Sequence, residues 1–211
     1  MKISLILSGF LVAALAALVS AAPLPAVIPG PGIWQLDLEL HGNPMPVEVT
    51  LPGDEKPTRF WYLLYTVTNN TGKDLTFYPQ FDLLSNNLKL MSGNRGILKP
   101  IFEAVRNLYA STIPLLEPYS MVAGKLLQGQ DNARDSLAIF PEFDPNATTV
   151  KIFFTGLSNE IVAINHPVDI DKTTNQPKKI LLRKTLVLEY QVSGTPGQRA
   201  MLYRNRYWVM R

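Results

Sequence analysis

Residues 33–40 alternate: Trp34, Leu36, Leu38 and Leu40 fall on one side of an extended chain, Gln35, Asp37 and Glu39 on the other. That period of two predicts a strand with one buried face. Residues 47–51 alternate in the same way and end at Pro52-Gly53. Residues 60–68 differ. Trp61, Leu63, Tyr65 and Val67 share one face, and Phe60, Tyr62 and Leu64 make the other face apolar too. A strand apolar on both faces belongs in the middle of a sandwich or beneath a covering segment. The polar run 69–74 contains Asn69, Asn70 and Gly72, which tolerate positive φ, and predicts an exposed turn. Residues 75–84 follow as a strand interrupted by Pro79, where a bulge or an edge is expected. The two strands are expected to pair as a central hairpin, with Leu63, Tyr65, Val67, Phe77 and Phe81 in the core.

The middle of the chain changes period. Ile97, Ile101, Val105, Leu108 and Tyr109 recur at helical spacing, opposite Lys99, Glu103, Arg106 and Asn107, and Pro100 suits a first helical turn. An amphipathic helix over 99–109 is expected, inside an insertion spanning about 95–128. Strand patterns resume at 136–140, 150–155, 161–164, 180–192 and 203–210, with a polar hairpin loop at 171–179. The sum is a mainly β chain: an antiparallel β-sandwich with one inserted helix, forming a single domain over 33–211.

The N-terminus adds a compartment. Lys2 precedes an almost unbroken apolar run, 5–19, and Val19-Ser20-Ala21 puts small or moderate residues where a signal peptidase reads. A cleaved signal peptide over 1–21 is expected, and with it a secreted or periplasmic protein. Residues 22–32 hold four prolines and two glycines and read as an extended linker. No later stretch reaches the ~20 apolar residues of a membrane helix, so no transmembrane segment is expected after signal removal. Hydrophobic residues make up 46% and charged residues 18%, which supplies a core and excludes disorder as the ground state. There is no cysteine, so stability outside the cytoplasm must come from packing, and a bacterial envelope is the favoured setting.

Charge is unevenly spread. Residues 22–171 carry 10 Lys+Arg against 16 Asp+Glu, net −6, whereas residues 172–211 carry 9 against Glu189 alone, net +8. Either the C-terminal strands pair with acidic strands of the same domain, or they form a basic face for an acidic partner. Asn69-Asn70-Thr71 and Asn146-Ala147-Thr148 match the glycosylation acceptor pattern and read as ordinary turn residues.

The stretch YTVTNNTGKDLTFYPQFDLLS, residues 65–85, resembles the central strands of Ig-like β-sandwich domains of bacterial exported proteins. LAIFPEFDPNATTVKIFFTGLS, residues 137–158, resembles a later strand pair of that arrangement. With the closing RYWVMR, the whole is similar to uncharacterised secreted proteins of planctomycete-like bacteria. The resemblance implies an Ig-like sandwich with a non-enzymatic adhesion, binding or structural role. The helix near Lys99 departs from a plain sandwich.

Candidate chemistry is sparse. His41 lies in a His-Gly-Asn-Pro turn and His166 precedes Pro167; no Gly-x-Ser-x-Gly elbow is present. Two isolated histidines make no zinc site. The pairs Asp169/Asp171 and Asp131/Asp135 hint at calcium but fall short of its six or more oxygens, so no metal or cofactor is expected. The remaining candidates are aromatic: Trp61, Tyr62 and Tyr78 could stack on a sugar if exposed. The Arg204–Trp208 mixture of arginines and aromatics would suit nucleic acid in a cytosolic protein, but export argues against it. The expected function is a non-catalytic exported binding or structural protein, with an envelope protein or polysaccharide as partner. A carbohydrate-binding module and a hydrolase with two acids flanking a cleft are the alternatives.

Overall fold

The computed structural model describes residues 22–26, 30–96, 98–195 and 197–211. The expected signal peptide, part of the linker and Ile97 lie outside them. The chain is mainly β and antiparallel. In order it forms β1 (Asp37–Leu40), β2 (Met45–Val49), β3 (Thr58–Thr68), β4 (Leu75–Phe77), β5 (Gln80–Ser85) and β6 (Leu90–Ser92). Helices α1 (Lys99–Leu108) and α2 (Tyr119–Val122) follow. The chain closes with β7 (Gly124–Leu126), β8 (Arg134–Pro141), β9 (Thr149–Thr155), β10 (Ile161–Asp171), β11 (Gln176–Ser193) and β12 (Ala200–Met210).

Two main sheets face each other. In the first, β3 is central: β8 pairs along one edge from Phe60 to Val67, and β1 and β2 share the other edge end to end. The second runs β6–β5–β9–β11, with β12 on the far edge of β11. β10 continues the line of β9 after a break at residues 156–160 and pairs with the first half of β11. β4 and β7 form a separate two-stranded ribbon.

The expected hairpin is therefore a correction. β3 and β5 lie in opposite sheets and do not pair. Their burial is as expected: Leu63, Tyr65, Val67 and Phe77 are fully enclosed and Phe81 nearly so, all in the core between the sheets. The strand expected over 75–84 breaks at Tyr78-Pro79 into β4 and β5, since proline lacks the N–H a continuous ladder needs. Leu75, Phe77, Phe81 and Leu83 still keep their alternation inward across the break.

The outer face of β3 is covered by α1. Ile101, Phe102 and Val105 pack on Tyr62, Leu64, Leu137 and Ile139 in a second apolar layer. The helix matches its expected span to one residue. Leu108 is an exception: it is exposed, whereas Tyr109 turns inward and its hydroxyl meets that of Tyr62 at 3.2 Å. The irregular connection also does structural work. Asn69, expected in an exposed turn, is fully buried. Its amide donates to the carbonyls of Lys73 at 2.8 Å and Leu126 at 3.0 Å, while Oδ1 accepts from the Thr71 N–H and hydroxyl. This side chain ties the turn to β7 from within, and Asp74 adds an ion pair to Lys125 of β7 at 2.9 Å.

The N-terminal segment is strapped to the break between β9 and β10. Trp34 N–H donates to Asn159 Oδ1, Ser158 Oγ donates to the Trp34 carbonyl, and Leu36 N–H donates to the Leu157 carbonyl. At the far end Glu160 Oε1 accepts the Ala26 N–H at 2.8 Å, and Lys184 Nζ donates to the Ala26 carbonyl at 3.1 Å. Lys184 is buried; its ammonium lies 3.0 Å from Glu160 and over the Trp208 ring. The Ala26 amide, then Lys184, hold the Glu160 carboxyl below its usual range.

Val67→Ala and Phe81→Ala should each lower unfolding free energy by about 2–5 kcal/mol, and Asn69→Ala by about 1–3 kcal/mol through orphaned buried partners. Lys73→Ala should cost almost nothing. Denaturant unfolding of the four variants side by side measures this. Glu160 adds a pH signature. A carboxyl depressed in the folded state contributes stability above its unfolded value and loses it as pH falls through the folded one. The melting temperature should thus fall more steeply in the wild type than in Glu160→Gln as pH drops through and below the carboxylate range. Parallel slopes would show that this carboxylate contributes no pH-dependent stability.

Candidate functional site

The three aromatic candidates do not form one surface. Trp61 is fully buried between the sheets, its ring 5.5 Å from Phe143 and its indole N–H donating to Glu142 Oε1. Tyr62 lies on the opposite face of the same strand, buried under α1, and burial, with Tyr109 beside it, pushes its phenol up. Only Tyr78 is exposed, at the break between β4 and β5. Period two puts neighbours on opposite faces, so consecutive Trp61 and Tyr62 could not stack on one ligand.

The structure does assemble one polar chain that spacing could not show. His41, Thr66 and Asp135 come from the β1–β2 turn, β3 and β8. His41 Nε2 lies 2.6 Å from Thr66 Oγ1, which donates to Asp135 Oδ1 at 2.5 Å. Direct register of Thr66 with Asp135 sets this pair. The proton order matters: with the Thr66 proton on the Asp135 carboxylate, the imidazole donates to the hydroxyl and does not accept from it. A nucleophile needs its proton aimed at a base, so this group ties three elements at the end of the outer face. Three further acids are engaged as well. Asp169 pairs with Lys178, Asp171 Oδ1 accepts the N–H groups of Thr173 and Thr174, and Glu117 holds Arg134. No group of three or more metal-ligating side chains gathers among the described residues.

The basic C-terminal stretch divides in two. Lys178, Lys184, Arg199 and Arg211 pair with Asp169, Glu160, Glu142 and Asp82 of the acidic part. Arg199 is buried, lies over the Phe143 ring at 4.3 Å and donates to the Phe143 and Asp144 carbonyls. Lys172, Lys179, Arg183, Arg204 and Arg206 are exposed and meet no acid among the described residues.

An apolar concavity lies beside α1. It holds about 350 Å³, with Leu98, Phe102, Leu137, Ile139 and Pro118 as apolar walls and Lys99, Glu103 and Arg106 at its rim. A second, more polar cleft of about 470 Å³ adjoins it, and Asn94 and Tyr119 line both. Asn94 is the hinge between them. Its backbone N–H donates to the Ile139 carbonyl and its Oδ1 accepts the Ile139 N–H, both at 2.8 Å, so it extends the edge of β8 by one residue. It does so at φ 53°, a left-handed conformation that asparagine tolerates. Its Nδ2 is buried and has no partner. A buried donor left unpaired costs about 1–3 kcal/mol. Gly93 makes the geometry possible: a Cβ there would sit 2.8 Å from Phe140 and 3.1 Å from the Phe81 Cβ.

From sequence, residues 93–96 read only as a turn. A Gly-Asn pair in a turn is ordinary, and nothing local shows that the amide faces inward across β8. Comparison with protein-family models, curated proteins and solved structures finds no match for the chain. No helix among the described residues is long and apolar enough to cross a membrane.

Gly93→Ala should destabilise the protein by about 1–3 kcal/mol, as overpacking does, since the Phe140 ring it meets is fully enclosed. Chemical denaturation checks the cost. A change of less than ~0.5 kcal/mol, the usual range for neutral surface sites, would show that the Gly93–Asn94 turn relaxes freely.

Proposed function

We propose that this chain is an exported, non-catalytic β-sandwich that binds a small, mostly apolar ligand in the cleft beside α1, in the periplasm or outside the cell. The observation that carries the reading is the cleft itself, about 350 Å³ and walled by Leu98, Phe102, Pro118, Leu137 and Ile139. Besides the charged rim, its polar lining residues are Asn94, Ser120 and Tyr119, which suit binding and orienting. Its one acid, Glu103, is paired with Arg106, and the acid of the neighbouring cleft, Asp82, is held by Ser92 and Arg211. A hydrolase would want two such acids free across a gap. Carbohydrate stacking has lost two of its three rings to the core. Export rests on the N-terminal pattern. Kinship with Ig-like domains of bacterial exported proteins belongs to the same proposal; the antiparallel two-sheet arrangement supports it, and the lack of a β3–β5 hairpin counts against it.

Two measurements test the reading. Residues 1–30 fused to a reporter active only outside the cytoplasm should give signal; a silent reporter removes the compartment. The purified protein should bind the neutral apolar fluorophore N-phenyl-1-naphthylamine saturably, at one site, and Ser120→Trp, which fills the cleft mouth, should weaken that binding at least tenfold. Unsaturable binding, or equal binding by the filled variant, would remove the cleft as the site.

A further inference from the structure

The hairpin of β10 and the first half of β11 stands apart from the packed body. No residue from Ile161 to Arg183 is buried, and none belongs to either apolar core. Val162, Ile164, Ile180 and Leu182 continue the face of β11 that turns inward at Leu186 and Leu188, yet they are only half-buried. Ile161 and Leu181, on the opposite face, are exposed. A two-stranded ribbon is marginal in water by itself. We propose that a second copy of this chain covers the hairpin by pairing along the outer edge of β10, giving a two-fold dimer with one sheet continuous across both copies. The dimer does not depend on the cleft beside α1.

The backbone says what kind of cover fits. β10 pairs with β11 on one side, and no backbone group among the described residues bonds its other side. Lys184 N–H donates to the Glu160 carbonyl, so residues 160, 162 and 164 turn their backbone groups toward β11. Ile161, Ala163 and Asn165 therefore turn theirs outward, as the ladder of a further strand requires. Exposed edges are blunted by proline, charge or a bulge. The outer end of the hairpin has all three: Pro167, a register break between Asn165 and Ile170, and Lys178 and Lys179 on β11. The Val168 and Asp169 N–H groups there are taken by His166 Nδ1. Residues 161–165, Ile-Val-Ala-Ile-Asn, carry none of these guards.

That stretch is also complementary to itself. Antiparallel pairing with the two-fold axis at Ala163 sets Ile161 opposite the second copy's Asn165, and Val162 opposite the second copy's Ile164. No charge meets a like charge. Three outward-facing pairs then exchange about six backbone hydrogen bonds. The other open edge of the hairpin, residues 176–182 of β11 beyond the end of β12, fits poorly. Pairing about its midpoint would set Lys179 against the second copy's Lys179, and like charges directly opposite are destabilising.

Sedimentation equilibrium of the purified protein over the micromolar range should give twice the monomer mass. A monomeric wild type would overturn the dimer, and its binding to phosphatidylglycerol vesicles would assign the hairpin to a lipid surface instead. Ala163 is exposed, so Ala163→Lys and Ala163→Glu should keep the wild-type circular dichroism. Each sets like charges face to face at the axis and should sediment as a monomer. Mixed in equal amounts, the two should associate about tenfold more tightly than either alone, because lysine then faces glutamate. No gain on mixing would overturn the register at Ala163, and dimers persisting in both variants would overturn β10 as the interface. Ala163→Pro removes one outward N–H and keeps the bonds to β11. It too should be a monomer, and a dimer as tight as the wild type would overturn pairing along this edge.

Discussion

Strand β3 is apolar on both faces, and water must be kept from both. A strand covered on one face only would leave either Trp61, Leu63, Tyr65 and Val67 or Tyr62 and Leu64 in water, each large side chain worth about 1.5–3 kcal/mol of burial. The second sheet covers the first set, and α1 the second. Everything else in the architecture follows from that double demand. The chain must leave the first sheet after β3 to build the second, so the connection crosses between layers. It must return at β8 to flank β3 on its free edge. Between these two passages it lays down a helix, because only an added layer can cover the outer face.

This also explains what was readable beforehand. Alternation reports which face a residue lies on, and it did so correctly for Leu36, Val67, Phe77, Phe81 and Ile152, all buried. It reports nothing about which strand lies alongside. Two strands joined by a short polar turn look the same whether they pair or cross between sheets, and β3 and β5 cross. The helical period survived for the same reason: Ile101 and Val105 must meet the sheet. Leu108 sits in the last turn, past the covered area, where burial no longer disciplines the pattern.

Polar residues were the hardest to place. Asn69 looked like a turn residue, and it is one, but its amide also bonds carbonyls from two segments 53 residues apart in the chain, Lys73 and Leu126. His41 meets Asp135 through Thr66 only because β1 and β8 flank the same strand. The charge asymmetry resolved in part into pairing within the domain. Four of the C-terminal cations close ion pairs with acids of the preceding part of the chain, and five remain exposed. Such pairings depend on register, which the local pattern of a single strand does not encode.

The proposed site has the same origin as the third layer. A single helix of ten residues, about 15 Å long, cannot cover the whole outer face of a sheet whose central strand runs for eleven. The gap it leaves is floored by Leu137 and Ile139 and walled by the turn at Gly93-Asn94 and by Pro118-Tyr119. Filling that gap with larger side chains would add burial, and the chain leaves it open. It spends a glycine to bring Asn94 close, places that asparagine in a left-handed conformation, and leaves its amide nitrogen buried and unbonded. Each of those features costs free energy. The incomplete cover over β3 is thus where folding stops short, and the proposed binding would act in the space that it leaves.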